Sequence, residues 1–189
     1  MRRHLLPLIA LVFALGVGCA EPREPAQLIE HGAWVEAPDD HPFAESAPPT
    51  DERACGELAV FEELFGAEPS MTMDLDECNY MVLSQPTLAE TLAGDVIEWR
   101  LWRDASFFAT DEPTVMGLAV GDEVRWRETF PNPGDSGLTY EEFVVEADIP
   151  RGESVIWFVS THAELGARHG GNSLNFIELR RIDPRWEPE

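Results

Sequence analysis

Thr114-Val115-Met116-Gly117-Leu118-Ala119-Val120-Gly121-Asp122-Glu123-Val124-Arg125-Trp126-Arg127-Glu128-Thr129-Phe130 is the stretch on which the fold turns. Two runs rich in β-branched and aromatic residues flank a Gly-X dipeptide, the chemistry of a two-residue hairpin turn. Five further runs have the same character: Tyr80–Ser84, Val96–Arg103, Glu142–Ala147, Val155–Thr161 and Leu174–Arg181. Turn residues, among them Pro131 to Leu138 and Pro150-Arg151-Gly152, punctuate them. Short strands at regular spacing with no helical pattern between them predict an all-β, antiparallel β-sandwich. One short N-terminal helix is expected in addition, because Leu58, Phe61, Leu64 and Phe65 share a face at helical spacing within Glu57–Phe65.

Alternation assigns the faces. Ile97, Trp99 and Leu101 point inward, leaving Glu98, Arg100 and Trp102 to solvent. Val124, Trp126 and Phe130 point inward and Glu123, Arg125 and Arg127 outward. Phe143, Val145 and Ala147 point inward, with Glu142, Val144 and Glu146 outward.

The first residues read as an address. Met1-Arg2-Arg3-His4 is basic, and Leu5 to Gly18 is apolar apart from Pro7. Such a run reaches about 21 Å as a helix, short for a bilayer span and fitting the apolar region of a secretory signal. Leu15-Gly16-Val17-Gly18-Cys19 resembles the lipobox of bacterial lipoproteins. That resemblance implies a signal peptide over residues 1–18, lipid on Cys19 and attachment to a membrane. By analogy with lipoprotein sorting, Ala20 after the Cys points to the outer membrane, on its periplasmic face or at the cell surface. Residues 19–54 are rich in Pro, Ala, Glu and Asp and are expected to form an extended acidic tether, with the sandwich occupying 55–189.

The 189 residues carry 13 Lys+Arg against 36 Asp+Glu, a formal net charge of -23. This leaves no dominant basic face for phosphate contacts and excludes general nucleic-acid binding. If Cys19 is lipidated, Cys55 and Cys78 remain to form a disulfide, whose loop closure contributes about 3 kcal/mol in an oxidising compartment. A zinc site is the competing reading of two cysteines, but no C-x-x-C spacing supports it.

Gly94 to Leu101, Val120 to Trp126, Asp148 to Glu153 and Asn172 to Leu179 together resemble jelly-roll modules of the galactose-binding-like, carbohydrate-binding type. The chain is also similar to domains in secreted lipoproteins of myxobacteria-like organisms. The resemblance covers about half the chain and lies in strand-and-turn rhythm. It implies a fold rather than a ligand.

Candidate sites follow from side-chain chemistry. Arg100 and Trp102, beside Arg125 and Arg127, offer an apolar ring for sugar stacking and forked donors for hydroxyls. The competing role is cross-strand pairing of these arginines with Glu142 and Glu146. His162, His169, Asn172 and Asn175 form a second polar cluster, without a recognised zinc spacing. Asp74 and Asp76 place carboxylates for Ca²⁺, although an EF-hand would need a Gly where Asn79 stands and a Glu where Gln85 stands. Gly134-Asp135-Ser136-Gly137 resembles the nucleophile motif of trypsin-like proteases but continues with Leu138, and it lacks a placed His. Turn chemistry explains it. The leading expectation is a cell-envelope lipoprotein that binds a glycan or an envelope protein without catalysis. A structural or assembly role is the alternative, with a glycan-active hydrolase last.

Overall fold

The computed structural model describes residues 21–53, 55–56, 59–75, 77–104, 113–131, 134–161 and 173–188. Two antiparallel sheets pack face to face in a β-sandwich. The strands are β1 (Ala26–Gln27), β2 (Val35–Glu36), β3 (Val60–Phe65), β4 (Glu68–Asp74), β5 (Tyr80–Pro86), β6 (Val96–Arg103), β7 (Thr114–Val120), β8 (Glu123–Phe130), β9 (Gly137–Val144), β10 (Ser154–Ser160) and β11 (Ser173–Ile182). The first sheet runs β3-β4-β11-β6-β9 with β1 added to β11, and the second runs β2-β5-β10-β7-β8. From β5 to β11 the chain changes sheet at every connection except the β7–β8 hairpin. That hairpin turns at Gly121 with φ of 60°, a left-handed conformation that glycine adopts without Cβ strain.

The core lies between the sheets. Ile97, Trp99 and Leu101 of β6 are fully buried, as their alternation requires. Trp99 meets Trp126 of the opposite sheet with ring centroids 4.4 Å apart, and Trp157 lies 5.0 Å from Phe176.

Four expectations are corrected. Val60–Phe65 is not helical but an edge strand paired to β4 through a turn at Gly66 (φ 69°). Its helical spacing of apolar residues marks no buried stripe, since Phe61 and Leu64 are exposed. The strand expected at Glu142–Ala147 is Gly137–Val144, because pairing with β6 from Gly137↔Arg103 to Val144↔Val96 sets its limits. The register of β8 against β7 shifts between Leu118 and Ala119 of β7, where Arg125 is the extra residue on β8, and this reverses the expected faces N-terminal to Trp126. Val124 is therefore exposed, opposite Ala119 on the outer face.

The largest correction concerns the stretch expected to be a tether. Residues 21–53 wrap around the sandwich. Its prolines and acids cannot build a core, but a few apolar side chains dock on the existing one. Leu28 and Ile29 are buried in the main core, where the chain passes from β1 on the first sheet to β2 on the second. Phe43 then stacks on Phe158 at 4.9 Å, covering the outer face of the second sheet together with Val82, Ala119 and Ile156. Gly117 makes room for it: a Cβ there would stand 2.3 Å from the Phe43 ring. Cys55, joined to Cys78, ties the end of the wrap to the start of β5. Its beginning is held by Arg23, which pairs with Asp95 and donates its backbone N–H to Asp183 at 3.0 Å. Bonds from Arg185 hold the Asp183 carboxyl far below the usual carboxylate range.

Candidate functional site: a concave sheet face

The outer face of the first sheet is shaped by a change of partner along β11. β11 pairs with β4 from Ser173 to Phe176 and with β1 at Arg180 and Arg181. Between these the register against β6 shifts at Ile177, and the pairing of β4 with β11 ends at Met71, which leaves the hairpin tip beyond Ser70 unpaired to β11. Strands β3 and β6 stand three places apart, about 14 Å in a flat sheet. Yet the Phe65 and Trp102 rings lie 5.5 Å apart. The hairpin tip therefore curls over the face and makes it concave, burying Ser70, Thr72 and Asn175 beneath it.

Register then fixes what lines the hollow. Trp102 lies opposite Leu138, and Arg100 opposite Tyr140. Leu138 and Tyr140 are exposed, while Phe65 and Trp102 are half-buried. The Trp102 indole N–H donates to Asp104 Oδ1 at 2.8 Å, which fixes the ring orientation, and Ser173 donates to the other Asp104 oxygen at 2.5 Å. Arg100 donates through Nε to Glu178 at 2.8 Å and through Nη2 to Glu68 at 3.0 Å. The second contact latches the hairpin tip to the sheet. Tyr140 donates to Glu142, and that bond holds its proton well above the ordinary phenol range. Arg180 pairs with Glu98 at 2.6 Å. The result is an apolar strip of Phe65, Trp102, Leu138 and Tyr140 bordered by oriented carboxylates and guanidinium groups. Such a surface can stack a ring and hydrogen-bond its substituents.

The structure keeps two of the four platform residues together and separates the others. Arg125 and Arg127 belong to the second sheet. Arg125 sits at the β8 register shift, paired with Glu123 at 2.6 Å, with its guanidinium carbon 5.5 Å from the Phe143 ring. Arg127 lies opposite Gly117. Cross-strand ion pairing does occur, but Arg100 uses Glu178 and Glu68 rather than Glu142 or Glu146. Of the second cluster, Asn175 is buried and accepts a hydrogen bond from Thr72 at 2.7 Å. His162, His169 and Asn172 lie outside the described residues, as do Cys19 and Asp76. Asp74 ends β4, its backbone N–H donating to the Ala59 carbonyl at 2.7 Å. No group of three or more metal-ligating side chains occurs among the described residues.

Sequence reasoning missed Phe65, Glu68, Leu138 and Tyr140. By sequence spacing alone Phe65 falls on the apolar face of a helix, and Leu138 within a turn. Only the pairing of β9 with β6 brings Leu138 and Tyr140 beside Trp102 and Arg100.

No family model matches the chain, and no curated protein does. Among solved structures it is similar to a carbohydrate-binding module described as recognising mannan, with a TM-score of 0.45 and 5% identity over 86% of this chain and 97% of that one. It is also similar to a module of Clostridium perfringens solved in complex with methyl-galactose, with a TM-score of 0.37 and 10% identity over 86% and 95%. An apo-form cyclase from Fischerella sp. gives a TM-score of 0.41 and 11% identity over 89% and 90%. These are similarities of chain path.

Proposed function

We propose that the sandwich is a non-catalytic binding module for a glycan, displayed by a lipoprotein of the cell envelope. The concave face of the first sheet carries this reading. There Trp102, Tyr140 and Phe65 offer apolar surface along a hollow, and Arg100, Glu68 and Glu142 border it with oriented donors and acceptors. A sugar ring needs both, an aromatic plane for its C–H face and charged groups for its hydroxyls. The envelope address rests on the basic and apolar residues before Cys19 and on the small residues preceding that cysteine.

Affinity electrophoresis of the full chain through gels containing mannan, galactan, xylan or bacterial cell-wall glycan tests the reading. A retardation by one polysaccharide that Trp102→Ala abolishes is the expected result. No retardation by any of them, with cooperative unfolding intact, moves the assignment to an envelope protein partner. Release of sugar from any of them overturns the non-catalytic reading. Lipid attachment is tested separately by membrane fractionation of wild type against Cys19→Ser, with loss from the membrane fraction expected in the variant.

A further inference from the structure

A cavity of about 480 Å³ opens on the other sheet, between β5 and the wrapping segment. Tyr80 and Val82 of β5 form its floor, and Glu36, Asp39, Thr50 and Arg53 of the wrapping segment stand around them. None of these residues belongs to the concave face. The segment that closes the cavity is held at three points: β2 on β5, Phe43 in the hollow at Gly117, and Cys55 on Cys78. A volume of this size falls within the range of small-molecule sites.

The hydrogen bonding at the floor is directional. His41 Nδ1 accepts the backbone N–H of Phe43 at 3.2 Å, so the proton of the neutral ring sits on Nε2. Nε2 lies 3.1 Å from the Tyr80 hydroxyl and donates to it. Tyr80 has thereby received a hydrogen bond, and its own proton is left to give. Burial, with help from Arg53, depresses the His41 pKa and keeps the ring neutral. Arg53 is fixed as well. Its Nε donates to the Pro48 carbonyl at 2.9 Å, and its guanidinium carbon stands 4.5 Å from the Tyr80 ring centroid.

The lining thus presents acceptor-only carboxylates at Glu36 and Asp39, the donor-only guanidinium of Arg53, and the hydroxyls of Tyr80 and Thr50. An anion meets two carboxylates there, and a simple cation meets Arg53. Hydroxyl groups, which donate and accept at once, satisfy both kinds of group, while Ala37 and Val82 of the outer-face apolar cluster meet a C–H face. We infer that this cavity is a second binding site, independent of the concave face, for a small polyhydroxylated ligand of about one or two sugar rings. Glu36 and Asp39 accept from its hydroxyls, and Arg53 and Tyr80 donate to them.

The test uses the full chain with free glucose, galactose, mannose, N-acetylglucosamine and cellobiose, read by saturation-transfer NMR and calorimetric titration. At least one of these sugars is expected to bind saturably. Tyr80→Phe, which keeps the ring and removes the donor, and Arg53→Gln should each weaken that binding about tenfold, the loss of one good hydrogen bond to a charged or buried partner. Both variants are also read in the Trp102→Ala background, which disables the concave face, so that the binding that persists there is the cavity's, and thermal midpoints of all variants serve as the folding control. Affinity retained in that background in either Tyr80→Phe or Arg53→Gln overturns the assignment, as does the absence of saturable binding by every sugar. Loss of binding in Trp102→Ala alone moves the sugars to the concave face, which sinks the cavity and leaves the function proposed above standing.

Discussion

The two sheets treat their outer faces in opposite ways. The second sheet is covered by the chain's own wrap, so β10 is buried from Val155 to Ser160 on both sides. The first sheet keeps an open face, and β6 alternates strictly between buried and half-buried positions from Val96 to Leu101. A sheet covered twice reads as a continuous apolar run, and a sheet covered once reads as alternation. Val155-Ile156-Trp157-Phe158-Val159 and Ile97-Glu98-Trp99-Arg100-Leu101 are those two signatures side by side. The contrast teaches where ligands can reach: a broad open hollow on one sheet, and on the other a half-open cavity at the edge of the cover.

The comparison breaks most completely if the cover is removed. A chain starting at Cys55 lacks Leu28, Ile29 and Phe43, each worth about 2–5 kcal/mol when truncated to Ala. That sum rivals the whole stability of a domain this size, about 5–15 kcal/mol. Loss of the cooperative unfolding transition by circular dichroism is expected, and a truncated chain that melts like the full one would show the wrap to be dispensable.

Phe43→Ala is the next largest, at about 3–5 kcal/mol by urea denaturation. Gly117→Ala should cost about 1–3 kcal/mol by displacing the same ring. In the Phe43→Ala background the Gly117 change should cost almost nothing, and additivity of the two would disprove their contact. Replacing Cys55 and Cys78 together by Ser should cost about 3 kcal/mol, since it frees the end of the wrap.

A smaller effect is set by pH. Burial lowers the pKa of both His31 and His41 from an ordinary value near 6.5. The unfolded chain therefore takes up these protons first, and stability falls as pH drops below 6.5 toward the folded-state values. Well above 6.5, where the ring is neutral in both states, these two groups contribute no pH dependence. Urea midpoints between pH 7.5 and 5 should show a slope that shrinks in His41→Asn. Smallest of all is the exposed rim of the open face, where Arg180→Gln, breaking the pair with Glu98, should cost less than about 1 kcal/mol.

What was legible in the sequence is what alternation and turn chemistry encode locally. β6, β7 and β8, with the turn at Gly121, were readable because their pattern follows from one buried face and one glycine. The wrap was not, because its composition describes a segment unable to fold alone. Docking needs only Leu28, Ile29 and Phe43 to find partners far along the chain. The double burial of β10 did leave a trace, the apolar run from Val155, but nothing local says what covers it. The concave site was half legible: Arg100 and Trp102 follow from alternation, whereas grouping them with Arg125 and Arg127 required knowing which sheet each strand joins. The reversed faces in β8 came from one shift of register, to which a period of two is blind.

Arg23, locked to Asp95 and Asp183, has a consequence for how the molecule would stand on a membrane. Only three residues separate it from Cys19. Fully stretched, that spacing reaches no more than about 14 Å. A lipid on Cys19 would therefore hold the sandwich almost flush against the headgroups, with the end bearing Arg23 and Asp183 turned downward. Anchored in that way, the protein would be a surface fixture with little radius of action, and its ligand would have to come to the membrane rather than be reached for.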